Sequence, residues 1–321
     1  MKLSLIIPFY NEEKQIPVTI NTVIPFMNSM DFDYEIILID DGSSDNTWFM
    51  LEQAAVYARP ENPEGLGGEI RAIRFSRNFG KESAICAGLQ YSTGDAVILM
   101  DGDLQHPPHY IPQMVDLWQK EDVEIVEGVK SHRGSESLSQ KLNAFLFYKI
   151  FSKASGYDLQ NASDFKLLDK KVVDEWKKFG EHDTFFRALT AWMGFKRKSF
   201  EFEVPVRTSG NSKWSIFKLA SLSINAITSF SALPLQIITA LGVVSLIVSI
   251  ILAIQTFINW ALGTALDGFT TVILLQLFIG GLIMISLGLI GIYIARIFTE
   301  VKARPRYIVT QTINAGTGRS L

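Results

Sequence analysis

Two carboxylates two positions apart follow an apolar segment in the first third of the chain. Asp101-Gly102-Asp103 comes directly after Ala96–Met100, which is typical of a buried strand. A hard divalent cation such as Mg2+ or Mn2+ takes oxygen ligands, commonly one or two carboxylates together with substrate phosphates. The pair therefore indicates a metal-diphosphate site. A solvated turn or a helix cap is the alternative for this triplet on its own.

Three further polar clusters each follow an apolar, strand-like segment and precede a helical pattern. They are Pro8–Glu12, Asp40–Asp45 and Arg77–Glu82. In an open parallel sheet such loops meet at the carboxyl ends of the strands, where ligands bind. We therefore expect an α/β fold with a mainly parallel sheet, helices on both faces and four clusters at one edge. For a single cluster the alternative is helix capping, for example by Ser43–Asp45 before a helix at about 46–57. Capping does not explain why acidic residues occur in all of these loops.

Taken together, P-F-Y-N-E, D-D-G-S-S-D, R-N-F-G-K-E and D-G-D-L-Q-H-P-P resemble family 2 of the inverting glycosyltransferases, which have a nucleotide-diphospho-sugar transferase (GT-A-like) fold. The likeness covers roughly the first two thirds of the chain. The Q-H-P-P ending, Val204–Arg207, Ser212–Trp214 and Ala303–Pro305 resemble the polyprenyl-phosphate glycosyltransferases in particular. The resemblance implies an enzyme that moves a sugar from a nucleotide diphosphate to a polyprenyl (undecaprenyl-type) phosphate.

The resemblance also implies a ligand set for the donor. The metal, Mg2+ or Mn2+, would be held by Asp101, Asp103 and Gln105. The nucleotide would be bound by Pro8, Tyr10, Glu12, Asp41, Lys81 and Asp101. These roles come from the family pattern and are expectations at this point.

Catalytic and acceptor residues follow from the same likeness. Asp103, Asp164 and Arg133 would be catalytic. Asp164 lies where the family places an acid beside the reacting sugar; it would orient that sugar or act as a nominal base, and a turn aspartate bonded to local backbone is the alternative. Arg133 would face a phosphate, with a solvated loop arginine as the alternative. The acceptor phosphate would be bound by Arg207, Ser212 and Lys213.

The charge pattern of the last third predicts membrane helices. No charged residue occurs from Leu219 to Leu266 or from Gly268 to Ala295, and about 20 apolar residues suffice to cross a bilayer. We expect two spans at about 233–260 and 270–295. The predicted divisions are a glycosyltransferase domain at 1–212, a juxtamembrane amphipathic helix at 213–231, the membrane region at 232–296 and a cytoplasmic tail at 297–321. We expect the amphipathic helix to lie in the plane of the lipid headgroups. The alternative is that it packs on the catalytic domain.

Basic residues flank both ends of this helix pair and are missing from its connecting loop. The positive-inside rule then predicts a multi-pass protein of the inner or plasma membrane, with both termini and the catalytic domain cytoplasmic. No signal peptide is expected, because Met1-Lys2 leads directly into a strand. The single Cys86 suits a reducing compartment, and the net charge of −3 argues against nucleic acid as a partner.

Other functions remain to be weighed. We favour UDP-glucose as donor, with mannosyl, other hexosyl and aminosugar transfer left open. A non-catalytic, membrane-anchored sugar-nucleotide-binding protein would be expected to lack an acid of D-G-D. A processive polysaccharide synthase would carry Q-x-x-R-W, which Arg187–Trp192 does not match. A transporter would need charge within the spans. A stripe of Gly281, Gly288 and Ala295 suggests a homo-oligomer or packing within the chain, and the alternative is that glycine is simply a common residue of membrane helices.

Overall fold

The computed structural model describes residues 1–57, 68–131, 152, 162–182, 184–204, 228, 233–263 and 268–314. The strands are β1 (Lys2–Phe9), β2 (Asp33–Asp40), β3 (Gly68–Phe75), β4 (Ala96–Leu99), β5 (Ile125–Lys130), β6 (Ala162–Asp169), β7 (Arg197–Phe202) and β8 (Val309–Asn314). The helices are α1 (Ile16–Asn28), α2 (Thr47–Tyr57), α3 (Lys81–Tyr91), α4 (Ile111–Lys120), α5 (Lys170–Trp176), α6 (Phe186–Trp192), α7 (Leu233–Ala261) and α8 (Phe269–Val301). A 3-10 turn covers Pro108–Tyr110.

The strands form one sheet in the order β7-β5-β6-β4-β1-β2-β3-β8. Four neighbours, β4, β1, β2 and β3, run parallel, and β5 pairs in parallel with β7. Only β6 and β8 pair antiparallel to their neighbours among the described strands. The predicted α/β fold with a mainly parallel sheet is confirmed. Its parallel strands bring the loops after β1, β2, β3 and β4 to one edge.

Alternation along the central strand explains how helices cover both faces. Leu5 and Ile7 of β1 belong to the apolar core that also contains residues of α1, α2 and α4. Ile6, between them, lies against Gly88 of α3 on the other face. A strand buried on both faces reads as a continuous apolar run, which is what Leu5–Ile7 shows.

Two long apolar helices follow in the sequence. α7 has 29 residues and α8 has 33, so each is roughly 45–50 Å long. Both are long and apolar enough to cross a bilayer, judged by length and composition. They match the predicted spans closely, although α8 continues past residue 295 to Val301. The predicted juxtamembrane helix at 213–231 lies outside the described residues, apart from Thr228.

The chain after α8 differs from the predicted tail. Val309–Asn314 forms β8, which pairs antiparallel with β3 at the edge of the sheet. Residues 304–314 belong to the same compact unit as the sheet, whereas α7 and α8 belong to a second unit. The reason is that β3 would otherwise present an unpaired edge, and the alternating sequence Val309–Asn314 satisfies its backbone groups. A Cβ atom added to Gly281 or Gly288 of α8 would meet no atom of the described chain outside the neighbouring helix backbone within 4 Å, and the oligomer stays a prediction.

Candidate active site

The register between β4 and β6 brings two carboxylates together. These antiparallel strands pair Leu99 with Lys166. Continuing that register two residues beyond Leu99 and two residues before Lys166 brings Asp101 opposite Asp164. The Lys81 ammonium, from the first turn of α3, bridges them. Its Nζ atom lies 2.6 Å from Asp101 Oδ1 and 2.8 Å from Asp164 Oδ2. Three segments that are distant in sequence therefore meet at the carboxyl end of β4.

Arg187 completes this group from the first turn of α6. Its Nε atom donates to Asp164 Oδ1 at 2.7 Å and an Nη atom donates to Asp164 Oδ2 at 3.0 Å, a bidentate pair. Burial alone would raise the pKa of Asp164, but the Arg187 guanidinium and the Lys81 ammonium override it and hold that pKa well below its usual range. Asp164 is thus a permanently charged, firmly oriented carboxylate.

A third cation, Lys130, lies close by at the end of β5. Burial and the Arg187 guanidinium hold the pKa of Lys130 below its usual value, against the opposing charges of nearby carboxylates. Those carboxylates are Asp101, Asp103 and Asp164. Lys130 is therefore within electrostatic reach of the same site.

The D-G-D turn is packed against the first cluster. A Cβ atom on Gly102 would lie 2.4 Å from a ring carbon of Phe9 and 3.1 Å from a carboxylate oxygen of Glu12, so no side chain fits there. The Thr19 hydroxyl of α1 donates to the Gly102 carbonyl at 2.5 Å. Asp103 Oδ1 accepts the backbone N–H of Gln105 at 3.0 Å. These contacts fix the turn that carries both acids.

His106 holds the backbone of Asp101 in place. Its ring is buried and stacks on Phe165 with 4.9 Å between ring centroids. Its Nδ1 atom accepts the Asp101 N–H at 3.0 Å, which assigns the ring proton to Nε2. Burial lowers the pKa of His106, against the opposing charge of Asp101. His106 is neutral at pH 7 and acts on the geometry of the site.

The second and third clusters contact each other through Asp41. Its two carboxylate oxygens accept the backbone N–H groups of Phe79, at 2.7 Å, and Gly80, at 2.9 Å. Gly42 next to it has φ of 66°, and a Cβ there would lie 2.2 Å from the Arg77 carbonyl carbon. Only glycine allows this close approach.

The first cluster is held to the second in the same way. The Asn11 N–H donates to Ser43 Oγ at 2.9 Å, and the Glu12 N–H donates to Thr47 Oγ1 at 2.8 Å. Asn11 has φ of 53°, a turn conformation that asparagine tolerates. Tyr10 beside it is 47% exposed, so its ring is open to a ligand.

The described structure therefore brings part of the predicted site together. The clusters that contain Pro8, Tyr10, Glu12, Asp41, Lys81, Asp101, Asp103 and Gln105 lie at the carboxyl ends of the parallel strands, with Asp164 beside them. Arg133, Arg207, Ser212 and Lys213 lie outside the described residues. Within the described ranges no group of three His, Cys, Asp or Glu side chains could hold a metal.

The chain matches one family of proteins over its catalytic fold. The model of glycosyl transferase family 2 matches residues 4–176, more than half of the chain and all of the clusters above. The chain belongs to glycosyltransferase family 2. It is therefore a glycosyltransferase, and the matched region runs from β1 to the end of α5.

Relatives in glycosyltransferase family 2 extend the likeness to nearly the full length. An uncharacterised glycosyltransferase of Synechocystis is 36% identical over 97% of this chain and 95% of its own. A prophage bactoprenol glucosyl transferase homologue of Escherichia coli is 35% identical over 96% of this chain and 98% of its own. A glucosyl-3-phosphoglycerate synthase of Mycobacterium tuberculosis, solved with Mn2+, UDP-glucose and phosphoglyceric acid, has a TM-score of 0.48 and 19% identity over 71% of this chain and 78% of its own. That structural likeness is too distant to support an argument about ligands.

Two site residues of this family 2 enzyme were not predicted from the sequence. Arg187 lies in a segment that does not match Q-x-x-R-W, and none of the family motifs in the sequence contains Lys130. A signal for Arg187 exists, since it is the only charged residue of the otherwise apolar α6. Such a lone charge is rarely buried without a partner. No pattern in the neighbouring sequence predicts the role of Lys130, because that role depends on which strands flank β5.

Glu82 gives this site a measurable pH dependence. It accepts the Phe186 N–H at 2.8 Å, and burial together with the Asp164 charge raises its pKa to about 7 from 4.5. Its contribution to stability is complete below pH 4.5 and is lost as the pH rises through 7. We expect Glu82→Gln, whose amide oxygen keeps the Phe186 bond, to raise the unfolding free energy by on the order of 2 kcal/mol at pH 8 and little at pH 5.

The change in stability of Glu82→Gln is measured by thermal unfolding of the detergent-solubilised full chain at pH 5 and pH 8, followed by tryptophan fluorescence. Glu175→Gln is the matched control, because Glu175 is exposed and pairs with Lys178. An equal shift of the melting temperature at pH 5 and pH 8 would contradict the assignment.

Proposed function

We propose that this glycosyltransferase moves a sugar from a nucleotide diphosphate, glucose from UDP-glucose being favoured, to a polyprenyl phosphate at the cytoplasmic face of a membrane. Transfer inverts the anomeric carbon. The observation that carries the proposal is the full-length similarity to bactoprenol glucosyl transferases, because it extends past the catalytic fold into the two apolar helices. Mannosyl or aminosugar transfer to the same lipid is the alternative.

Charge balance supports a divalent metal in this reaction. The described site pairs two cations, Lys81 and Arg187, with two carboxylates, Asp101 and Asp164. Lys130 and Asp103 add one charge of each sign, so among the described residues little net positive charge remains for a diphosphate. Asp101 and Asp103 fit Mg2+ or Mn2+, because two carboxylates plus substrate phosphates satisfy such an ion without a third acidic ligand. When bound, the ion would stabilise the charge on the departing diphosphate as a Lewis acid.

Side chains around this position would bind the rest of the donor. The exposed Tyr10 ring is available to the base, and Pro8, Glu12 and Asp41 would line the nucleotide. Lys81 would exchange a carboxylate contact for a phosphate oxygen as the donor enters. Asp164 suits orientation of the sugar better than proton removal, because both of its oxygens are occupied and its pKa is depressed.

The acceptor makes a strong base unnecessary. A phosphate monoester has a second pKa near 6, so its oxygen is already anionic at neutral pH. It can attack the anomeric carbon directly from the face opposite the nucleotide. Arg133, Arg207, Ser212 and Lys213 are proposed to hold it by charge-assisted bonds.

Connectivity supports the proposed topology. Residues 157–204 and residues from 304 belong to one compact unit, and α7 and α8 lie between them in sequence. A helix pair whose two ends return to one unit crosses a membrane an even number of times. Basic residues flank both ends of the pair, which supports a cytoplasmic location for this unit under the positive-inside rule.

A panel of radiolabelled nucleotide sugars tests the proposal. Membranes containing the full chain are incubated with undecaprenyl phosphate and each donor, and label is extracted into the lipid phase. We expect label from UDP-glucose above that from the other donors.

Lys213→Ala should raise the acceptor concentration needed for half-maximal rate by about tenfold, with donor affinity by calorimetry unchanged.

Two results separate the parts of this proposal. Lipid label from another donor alone would replace glucose and keep the lipid acceptor. No lipid label from any donor, with sugar appearing on a water-soluble acceptor, would overturn the function. Equal loss of donor and acceptor affinity in Lys213→Ala would move Lys213 to the donor site.

A further inference from the structure

The segment that returns from α8 to the sheet lies against the third cluster. We call residues 305–308 the return segment and residues 76–81 the Lys81 loop. The Ser76 N–H donates to the Ile308 carbonyl at 2.9 Å. The Tyr307 ring stacks on Phe75, at the end of β3, with 4.9 Å between centroids and 11° between planes. The base of the Lys81 loop is therefore held by chain that follows the two apolar helices.

Contacts continue from this base into the loop. Phe75 is 1% exposed and meets Phe79 edge to face, with 5.9 Å between ring centroids. The next N–H groups, of Phe79 and Gly80, are those that Asp41 accepts. Lys81 follows directly and bridges Asp101 and Asp164. A continuous series of contacts thus joins Tyr307 to the charged site.

The far side of the return segment is held by separate bonds. Arg306 Nη2 donates to the Phe179 carbonyl at 2.6 Å, and Nη1 lies 3.4 Å from Cys86 Sγ. Beside these contacts lies an open cleft of about 360 Å³ lined by Trp176, Arg306 and Tyr307 among others. Tyr307 thus both lines this cleft and stacks on Phe75.

We propose that the return segment is a positioning element, in which Tyr307 acts through Phe75 and Phe79 to fix the Lys81 loop. Loss of the Tyr307 ring frees Phe75 and Phe79 to move, which loosens the amide contacts to Asp41 and the placement of the Lys81 ammonium. Because residues 302–308 connect α8 to β8, the same chain that ends the apolar helix pair sets the geometry of the site.

Hydrogen exchange tests this without any substrate. In the detergent-solubilised full chain, Tyr307→Ala should make the amides of residues 76–81 exchange about fivefold faster, the factor expected from losing one aromatic pair. Tyr307→Phe keeps the stack and should exchange like the wild type. Tyr307→Leu, which keeps apolar bulk, gives an intermediate variant if the alanine form folds poorly. Thr310→Ala is the matched control, since its hydroxyl bonds to Arg74 of β3 and not to the loop.

The locality of the change decides the outcome. Unchanged exchange in residues 76–81, or an equal increase in β1, would overturn the positioning role. The activity measurement rests on the proposed function: kcat should fall about fivefold in Tyr307→Ala and recover in Tyr307→Phe, with KM for the lipid phosphate unchanged. An unchanged kcat would also overturn it. If the wild type transfers no sugar to lipid, the proposed function fails, and local exchange alone then decides the positioning role.

Discussion

Asp103→Asn is expected to lower the rate of sugar transfer by at least about a thousandfold while leaving the protein folded. The asparagine oxygen can still accept the Gln105 N–H that Asp103 accepts at 3.0 Å, so the turn is preserved. What is lost is the negative charge that, with Asp101, would hold the metal. The rate of lipid-linked sugar formation measures the effect. EDTA should reproduce it in the wild type, and added Mg2+ or Mn2+ should reverse it.

Asp116→Asn is the control for this change. Asp116 is an exposed acid of α4 that pairs with Lys120 across one helical turn, so its loss removes the same charge away from the site. Asp101→Asn should lower the rate as much as Asp103→Asn and also remove a partner of Lys81. Full activity in EDTA, or a normal rate for Asp103→Asn, would exclude the metal-assisted mechanism.

Local patterns account for the part of the fold that the sequence predicted. Each parallel strand is an apolar run followed by a polar loop and a helical pattern, and these signals lie within about 30 residues of one another. The predicted helix at about 46–57 is α2 (Thr47–Tyr57). The acidic pair Asp101 and Asp103 is predicted as a metal site for the same reason, because both acids lie in one loop.

Long-range pairing accounts for what was missed. Asp164 was a predicted site residue, but its position beside Asp101 depends on the antiparallel pairing of β6 with β4, a register that no local pattern specifies. β8 pairs Asn314 with Arg71 across most of the chain, although Val309–Asn314 alternates as an edge strand should. Arg187 was missed because its partner became known only once β6 and α6 were placed. Arg187 and Lys130 therefore depend on long-range pairing, whereas Lys81 lies in a loop that a local pattern predicts.

Arg187→Ala tests that balance most directly. The substitution leaves Lys81 as the described cation that directly contacts the buried Asp164 carboxylate. Breaking a buried ion pair costs about 3 kcal/mol or more, but the Arg187 side chain is 30% exposed, so we expect a loss of unfolding free energy of about 2 kcal/mol. Because Asp164 then loses its fixed orientation and its pKa rises, sugar transfer should fall by about a hundredfold.

Arg187→Lys separates charge from geometry. It keeps the positive charge but cannot form the two parallel bonds, so we expect it to recover stability more than activity. Arg197→Lys on the exposed part of β7 is the control for the substitution itself.

A double-mutant cycle completes the argument. If Arg187 acts through Asp164, Arg187→Ala combined with Asp164→Asn should destabilise the protein by less than the sum of the single changes, by about 1 kcal/mol or more. Removing both partners leaves neither charge without the other, whereas each single change does. Unfolding of the four proteins at pH 7 measures the coupling. Strict additivity would mean that the two side chains act independently, and the orienting role of Arg187 would have to be abandoned.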